Sequence, residues 1–139
     1  MIWTIKVVGN PKAQPRVRAT VRGKHAGVYD PGTADEWKAL VRAAAEPQRP
    51  KEPIEGPIVV SISFMLKRPQ RLMRKTDPKG PVPHAVKPDR DNLDKAVLDA
   101  LQSAGWWRDD CQVYSGVITK NYHRKKGKPG ALIVIKSGD

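Results

Sequence analysis

The sequence contains little from which a disulfide, a membrane span or an aromatic surface could be made. It has one cysteine and one phenylalanine, and aromatic residues make up 6% of the chain. A lone cysteine excludes an internal disulfide, and a reducing cytoplasm suits such a chain. No apolar run approaches the roughly 18 residues of a membrane span. Residues 1–9 alternate in polarity, unlike an apolar secretory signal. We therefore expect a cytoplasmic protein with no membrane partner.

Acidic residues are also scarce, and they are unevenly placed. The 139 residues include 26 Lys and Arg against 14 Asp and Glu, which gives a formal net charge of +12. This charge favours a polyanionic partner, with nucleic acid as the first candidate and an anionic membrane surface as the second. Six of the 14 acids nevertheless fall within residues 87–113. This acidic stretch in a basic protein is therefore the strongest indication of its function.

Hydrophobic periodicity divides the chain into strands and helices of a single domain spanning residues 1–139. Alternating polarity predicts strands at residues 2–8, 58–66, 112–122 and 131–136, and helical spacing predicts two main helices beginning near Trp37 and Asp91. A less regular pattern indicates a hairpin between residues 16 and 30. The expected fold is α+β, with one mixed sheet and the order β-α-β-α-β-β. The last two strands are expected to be antiparallel neighbours if a hairpin joins them.

The two helices carry distinct sequence signals. Residues 33–36 have the T-x-x-E pattern of a capping box before the first helix. The second helix has an apolar stripe at helical spacing, formed by Leu93, Ala96, Val97, Ala100, Leu101 and Ala104. Gly105 suits the left-handed position just past its end, with Trp106 folding back on the last turn. Leu98 is placed on the polar side of this helix, where an exposed leucine suggests a dimer contact.

Two acidic pairs flank the second helix. Asp89 and Asp91 precede it, and Asp109 and Asp110 follow it. A short return of the chain would bring Asp109 or Asp110 towards the first pair. Carboxylates that share a site resist ionising together, and a magnesium ion relieves this repulsion. Lys95, four residues after Asp91, could then neutralise charge on a phosphate. The alternative is that Asp89 or Asp91 caps the helix, that Lys95 pairs with Asp91, and that the other acids are solvated.

Basic loops surround this acidic stretch. Residues 12–24, 67–79 and 120–128 contain sixteen of the 26 Lys and Arg. Phosphate contacts of this kind bind DNA without reading its sequence, although a solvated basic loop has the same composition. Five prolines in residues 67–88 predict a loop without regular structure, which becomes ordered on phosphates. The candidate DNA-binding residues are Arg16, Arg18, Arg68, Arg71, Arg74, Lys75 and Lys87.

Residues 89–101 follow the pattern D-x-D-N-L-x-K-A-x-x-D-A-L, and residues 105–113 follow G-x-W-x-D-D-x-Q-V. With these motifs, the acidic stretch resembles the RusA family of Holliday junction resolvases, and the match covers about 25 residues without an insertion or deletion. The amino-terminal part is similar to phage-type members of the family, in which a Pro-Arg segment leads to Tyr-x-Pro and a helix. The corresponding residues here are Pro15, Arg16, Tyr29 and Pro31.

This resemblance implies a function and a set of site residues. The function is paired, magnesium-dependent cutting of four-way or branched DNA junctions by a homodimer, encoded by a bacterium or a phage. The catalytic residues are Asp89, Asp91, Lys95 and Asp110, and the metal ligands are Asp89, Asp91 and Asp110. Asp109 matches the first of the family's two adjacent aspartates. Manganese is expected to substitute for magnesium, because it prefers similar oxygen ligands.

Two other functions remain compatible with the sequence. One is a non-catalytic DNA-binding protein whose acids serve only as helix caps and salt-bridge partners. The other is a general metal-dependent nuclease that cuts linear duplex or RNA as readily as junctions. Residues 67–88 form a longer basic loop than the shorter members of the resembling family have, which leaves the substrate preference open. The natural junction, whether formed in recombination and repair or in a branched phage genome, is also open.

Overall fold

The computed structural model describes residues 1–15, 18–22, 25–29 and 32–138. Its strands are β1 (Ile2–Val8), β2 (Arg18–Arg22), β3 (His25–Tyr29), β4 (Ile58–Leu66), β5 (Val82–Pro83), β6 (Val113–Ser115), β7 (Ile118–Tyr122) and β8 (Gly130–Ser137). Six of them form one mixed sheet in the order β1-β8-β4-β7-β5, with β6 also pairing with β4. The main helices are α1 (Asp35–Ala45) and α2 (Arg90–Ser103). The predicted α+β fold with a mixed sheet and two main helices is confirmed.

The central strand β4 shows why this sheet has one covered face. Its nine residues alternate strictly between fully and partly buried positions. The buried set includes Ile58, Ile62 and Phe64, and neighbouring Ile133 and Ile135 of β8 are buried on the same face. Side chains on a strand point alternately to opposite faces, so this alternation directs one apolar row towards the helices. The period-two pattern of the sequence correctly predicted this strand.

The helices cover that face of the sheet. On α2, Leu93, Ala96, Val97, Ala100 and Leu101 are all fully buried, as the helical stripe predicted. On α1, Trp37 and Val41 join the same core. Leu98 is also buried and packs in this core, so its predicted role as an exposed dimer contact is wrong. The apolar face of α2 is wider than the predicted stripe and includes Leu98.

The start and the end of α1 differ in detail from the sequence expectation. The residue at its N-cap position is Ala34, which makes no side-chain capping hydrogen bond. The predicted capping box at residues 33–36 is therefore not formed. A short 3-10 helix (Glu46–Gln48) follows α1 and contains Pro47, the residue that ends the regular helix.

Residues 112–122 form two strands and not the predicted single strand. A 3-10 helix (Asp110–Gln112) leads into β6, and Gly116 separates β6 from β7. Gly116 has φ +153, and a Cβ atom there would lie 1.8 Å from the carbonyl oxygen of Val60. Both strands then pair in parallel with β4. The strand β8 also differs from expectation, because β4 lies between it and β7.

The loop of residues 67–88 has more regular structure than its prolines predicted. It contains a 3-10 helix (Gln70–Leu72) and the short strand β5, which pairs antiparallel with β7. Within the described ranges, no helix is long and apolar enough to cross a membrane.

The predicted hairpin between residues 16 and 30 is present in the backbone. Strands β2 and β3 pair antiparallel, with Arg18 opposite Tyr29 and Arg22 opposite His25. Two of the predicted DNA contacts belong to this region. Arg16 lies outside the described residues, as does Pro31, and Arg18 is described only as part of the backbone of β2.

Candidate active site

The start of α2 is held in place by β7. The Nζ of Lys120 donates to the carbonyl oxygens of Val86 at 2.6 Å and Pro88 at 2.7 Å. The guanidinium of Arg90 donates to the carbonyl of Ile118 at 3.4 Å. These contacts place the aspartates at the start of α2 beside the strand that carries Lys120.

The two aspartates of the D-x-D pattern do not cap α2. Asp89 occupies the N-cap position, but its side chain makes no capping hydrogen bond. One carboxylate oxygen of Asp91 accepts from the adjacent N–H of Asn92 at 2.9 Å. Both side chains are exposed, and Asp89 lines an open depression together with Lys87, Pro88 and Asn92. Helix capping therefore does not account for the two carboxylates.

A third aspartate on α2 joins this region. Burial, together with the smaller effect of the negative charges of Asp110 and Asp91, raises the pKa of Asp94 to about 6. Asp91 and Asp110 therefore each lie near enough to repel Asp94, and we name these three residues the carboxylate group. The sequence analysis missed Asp94. A signal was present, because a residue three positions after Asp91 lies on the same side of a helix.

The reversal that brings Asp110 to α2 is a glycine-terminated helix end. Gly105 has φ +91, and its N–H donates to the carbonyl of Gln102 at 3.0 Å. The N–H of Trp106 donates to the carbonyl of Leu101 at 3.0 Å. These two bonds form the Schellman motif, which satisfies the last free carbonyls of the helix. The role predicted for Gly105 is confirmed.

Asp110 is then fixed by Gln102, near the end of α2, and by Trp107 in the return. The Nε1 of Trp107 donates to Oδ1 of Asp110 at 2.7 Å. The backbone N–H of Asp110 donates to Oε1 of Gln102 at 2.8 Å. Burial raises the pKa of Asp110, the hydrogen bond from Trp107 opposes that rise, and the charges of Asp99 and Asp109 add to it. One oxygen of Asp110 is thus held by the protein core.

Asp109 has a structural role in the same turn. Its Oδ1 accepts from the N–H of Cys111 at 2.9 Å, and its own N–H donates to Oε1 of Gln112 at 3.1 Å. Asp109 and Gln112 also form a capping box for the 3-10 helix, in which each side chain accepts from the backbone N–H of the other residue. The hydrogen bonds from Cys111 lower the pKa of Asp109. Asp109 is therefore a helix cap, whereas Asp110 belongs to the carboxylate group.

Lys95 is a free cation on the exposed side of α2. Its side chain is exposed, and it forms no ion pair with any described residue, including Asp91. The expected pairing of Asp91 with Lys95 is therefore not formed. Asp99, one turn further along, is instead bound by Lys38 of α1 at 2.7 Å. The two lysines differ in role, because Lys38 joins the helices and Lys95 has no structural partner there.

The donor chemistry of the carboxylate group fits a hard cation. Its oxygens are the ligands that magnesium prefers, and magnesium often takes only one or two carboxylates and keeps several waters. Within the described ranges, no three His, Cys, Asp or Glu side chains are close enough to enclose a metal ion. Asp89, Asp91 and Asp110 were predicted to converge. Of this convergence, the structure shows only that Asp91 and Asp110 both lie near Asp94.

The predicted DNA contacts outside the amino-terminal hairpin are of two kinds. Arg71, Lys75 and Lys87 are exposed, as a phosphate contact requires. Arg68 is only 4% exposed, and its guanidinium donates to backbone carbonyls of Leu72, Pro78, Gly80 and His123. The prediction of Arg68 as a DNA contact is therefore wrong, since its donors bind the protein itself. Arg74 is exposed but paired with Asp77 at 3.3 Å.

The structure thus defines an α+β protein with an acidic site in an otherwise basic chain. Residues 8–136 match the family described as endodeoxyribonuclease RusA, and the chain belongs to that family. It is also similar to the uncharacterized protein YqaN of Bacillus subtilis (strain 168). The two are 31% identical over 121 residues, which cover 84% of each chain.

Proposed function

We propose that this protein is a magnesium-dependent endodeoxyribonuclease that resolves four-way or branched DNA junctions by paired phosphodiester hydrolysis. Membership of the RusA endodeoxyribonuclease family over residues 8–136 supports the reaction class. The observation that carries the proposal is the carboxylate group, in which Asp94 has its pKa raised to about 6 beside Asp91 and Asp110. Such repulsion within a protein of net charge +12 is explained by a site that takes a cation.

The residues of the site have distinct proposed roles. Asp89, Asp91 and Asp110 would hold the metal, and Asp94 would add a further carboxylate beside them. The chemistry supplied there by magnesium, or by manganese in its place, would be polarisation of a scissile phosphate and a lowered pKa of a bound water. Trp107 and Gln102 keep Asp110 oriented through the hydrogen bonds at 2.7 and 2.8 Å. Lys95 has no ion-pair partner in the described part of the chain, so its ammonium is available to stabilise charge on the phosphate.

We further propose that the active form is a homodimer. A four-way junction can be cut symmetrically by two equivalent sites, and a two-fold dimer supplies them. Light scattering on the purified protein tests this directly. A protein mass near twice the 15.4 kDa of one chain is the expected result, both for the free protein and for the complex with junction DNA after the mass of the DNA is subtracted. A protein mass equal to one chain, both free and bound to DNA, would contradict the proposed dimer.

The function is tested by incubating the protein with a synthetic four-way junction and with the matching linear duplex. Each reaction is run with magnesium, with EDTA, and with an Asp91→Asn variant. Glu52→Gln is the matched control, because it removes one exposed carboxylate from the loop before β4. We expect magnesium-dependent cutting of the junction by the wild type and by Glu52→Gln, and none by Asp91→Asn.

The other outcomes separate the remaining functions. Junction binding without cutting under any divalent metal would leave a DNA-binding protein. Equal cutting of the junction and the linear duplex would keep the metal site and make the protein a general nuclease.

A further inference from the structure

A second charged site lies away from the carboxylate group. The loop of residues 67–80 and the turn between β7 and β8 together form a depression of about 630 Å³. It is lined by five cationic side chains, Lys75, Lys79, Arg124, Lys125 and Lys126. No acid among the described residues lines it. We refer to it as the basic pocket.

The basic pocket is held in shape by the buried guanidinium of Arg68. This group donates to the carbonyls of Leu72 at 2.9 Å, Pro78 at 2.7 Å and Gly80 at 2.8 Å, all on the loop. It also donates to the carbonyl of His123 at 3.4 Å, at the start of the turn. One arginine thus closes the loop and joins it to the turn, so both walls of the pocket depend on it.

A second set of contacts joins the two walls directly. The N–H of Lys125 donates to the carbonyl of Lys79 at 3.1 Å, and the Nζ of Lys125 donates to the carbonyl of Arg74. A binding surface that is already ordered loses less entropy when its ligand binds. The pocket therefore differs from a set of solvated lysines on a disordered loop.

One acid of the loop offsets part of the charge of the pocket. The nearest acid on the loop is Asp77, which accepts from the N–H of Arg74 at 2.9 Å and from its Nε at 3.3 Å. Burial acts to raise the pKa of Asp77, but these hydrogen bonds and the charges of Arg74 and Lys125 outweigh it and lower the pKa. Lys75, Lys79, Arg124 and Lys126 form no ion pair with any described residue. Like charges gathered in one concave surface are stabilised by an anion.

The strand β7 connects the pocket to the start of α2. Lys120 on this strand binds the carbonyl of Pro88, directly before the D-x-D pattern, and Arg124 follows four residues later. A strand rises about 3.3 Å per residue, so the two positions are at most roughly 13 Å apart. That separation corresponds to about four base-pair steps of duplex DNA. A duplex arm that reaches the carboxylate group can therefore extend into the pocket.

We propose that the basic pocket binds a phosphodiester of a DNA arm a few base pairs from the bond that is cut. The inference rests on the proposed function, since it takes branched DNA as the substrate. The pocket positions that arm by charge and shape and reads no bases, because lysines on a phosphate carry no sequence information. Its members from the β7–β8 turn, Arg124 and Lys126, add to the DNA contacts expected from the loop.

The test compares two double variants of equal charge change. Lys75→Ala with Lys126→Ala removes one cation from each wall of the pocket. Lys51→Ala with Lys136→Ala removes two exposed lysines that do not line it. Binding of a labelled four-way junction is measured by fluorescence anisotropy in EDTA, between about 50 and 200 mM salt. Thermal melts followed by circular dichroism establish that both variants are folded.

The pocket variant should weaken junction binding by about tenfold and reduce the slope of log affinity against log salt by about 1 to 2. The control pair should change the affinity by no more than about twofold and leave the slope as in the wild type. Equal losses in the two variants would overturn the inference, since they would reflect net charge alone. So would a pocket variant that keeps the wild-type affinity and slope.

A second measurement locates the bound phosphate. Junctions that carry one neutral methylphosphonate at successive positions are bound by the wild type and by the pocket variant. At one position near the cut, we expect the methylphosphonate to lower the affinity of the wild type and to leave the affinity of the pocket variant as it is for the unmodified junction. The absence of such a position contradicts the inference. The inference is also contradicted if inorganic phosphate stabilises the wild type but not the pocket variant, while both proteins bind the junction equally. The pocket would then be assigned to a small anion.

The outcome can be separated from that of the proposed function. Binding is measured in EDTA, so it does not depend on cutting. If the wild type cuts junctions and the pocket variant binds them with wild-type affinity, the proposed function stands and only the role of the pocket is overturned. A wild type that binds no DNA would overturn both.

Discussion

The Nε1 of Trp107 donates a hydrogen bond to Oδ1 of Asp110 at 2.7 Å, from a ring that is 1% exposed. The bond joins a carboxylate of the proposed active site to the hydrophobic core. A hydrogen bond to an ionised group is worth about 1.5–3 kcal/mol, so it restricts the orientation of Asp110 effectively. Packing of the indole thus sets the position of a site residue.

Replacing Trp107 by phenylalanine should remove this bond and keep most of the packing. We expect junction cutting to fall by about tenfold, in line with a displaced catalytic group. Since the Trp107 bond lowers the pKa of Asp110, its loss raises that pKa. The acid limb of the pH–rate profile should therefore move to higher pH, measured by initial rates across pH.

Trp106 supplies the matched control for that experiment. It is equally buried, but its Nε1 has no hydrogen-bond partner among the described residues. Trp106→Phe removes a similar volume and no hydrogen bond, so the pH–rate profile should stay as in the wild type. Equal pH shifts in the two variants would show that packing, and not the bond to Asp110, is responsible.

Asp94→Asn should stabilise the metal-free protein at neutral pH. The pKa of Asp94 is about 6 in the fold, above the usual value near 3.9. A raised pKa in the folded state means that ionised Asp94 destabilises the fold. This cost is absent below about pH 4 and complete above about pH 6. At pH 7 we expect a gain on the order of 1–2 kcal/mol in the free energy of unfolding, measured by urea denaturation in EDTA.

Magnesium should reduce that gain, because a bound cation offsets the repulsion within the carboxylate group. Glu52→Gln, an exposed acid in the loop before β4, should have little effect at any pH. A gain from Asp94→Asn that persists unchanged at pH 4 would show that repulsion between carboxylates is not its source.

Arg68→Ala should destabilise the protein by about 2–4 kcal/mol, because four backbone carbonyls lose a charged donor. Arg71→Ala removes the same charge from an exposed position on the same loop and should change stability by less than about 0.5 kcal/mol. Arg68→Lys tests geometry against charge, since lysine lacks the planar fork that reaches several carbonyls. We expect it to resemble Arg68→Ala in urea denaturation. A fully stable Arg68→Lys would contradict the proposed dependence on the guanidinium.

The features that the sequence predicted well are those determined by local periodicity. The alternation in β4, the stripe on α2 and the glycine at position 105 each follow from burial or backbone geometry within a few residues. Strand neighbours depend on the packing of distant segments, and no local pattern indicated that β4 lies between β7 and β8.

The site was predicted less completely, for two physical reasons. A sequence shows the charge of Arg68 but not whether backbone carbonyls surround its guanidinium, so a buried structural arginine looked like a DNA contact. Asp94 is not part of either acidic pair, and its spacing of three residues from Asp91 is equally typical of a solvated helix face. Its proximity to Asp110 depends on the reversal after α2, which side-chain spacing alone does not show.

Asp99→Asn should separate a structural aspartate from Asp91, the proposed catalytic aspartate on the same helix. Its carboxylate binds Lys38 at 2.7 Å, and the lysine side chain is only 7% exposed. Loss of the pair leaves a buried ammonium without its counterion, so the free energy of unfolding should fall by about 1–3 kcal/mol. Lys38→Met fills the same space without charge, and combining it with Asp99→Asn should cost less than the sum of the single changes. Urea denaturation of the four proteins gives this coupling.

Below the melting range, Asp99→Asn should still cut junctions within about threefold of the wild-type rate, whereas Asp91→Asn should not cut them. A loss of cutting by folded Asp99→Asn would place Asp99 in the catalytic site.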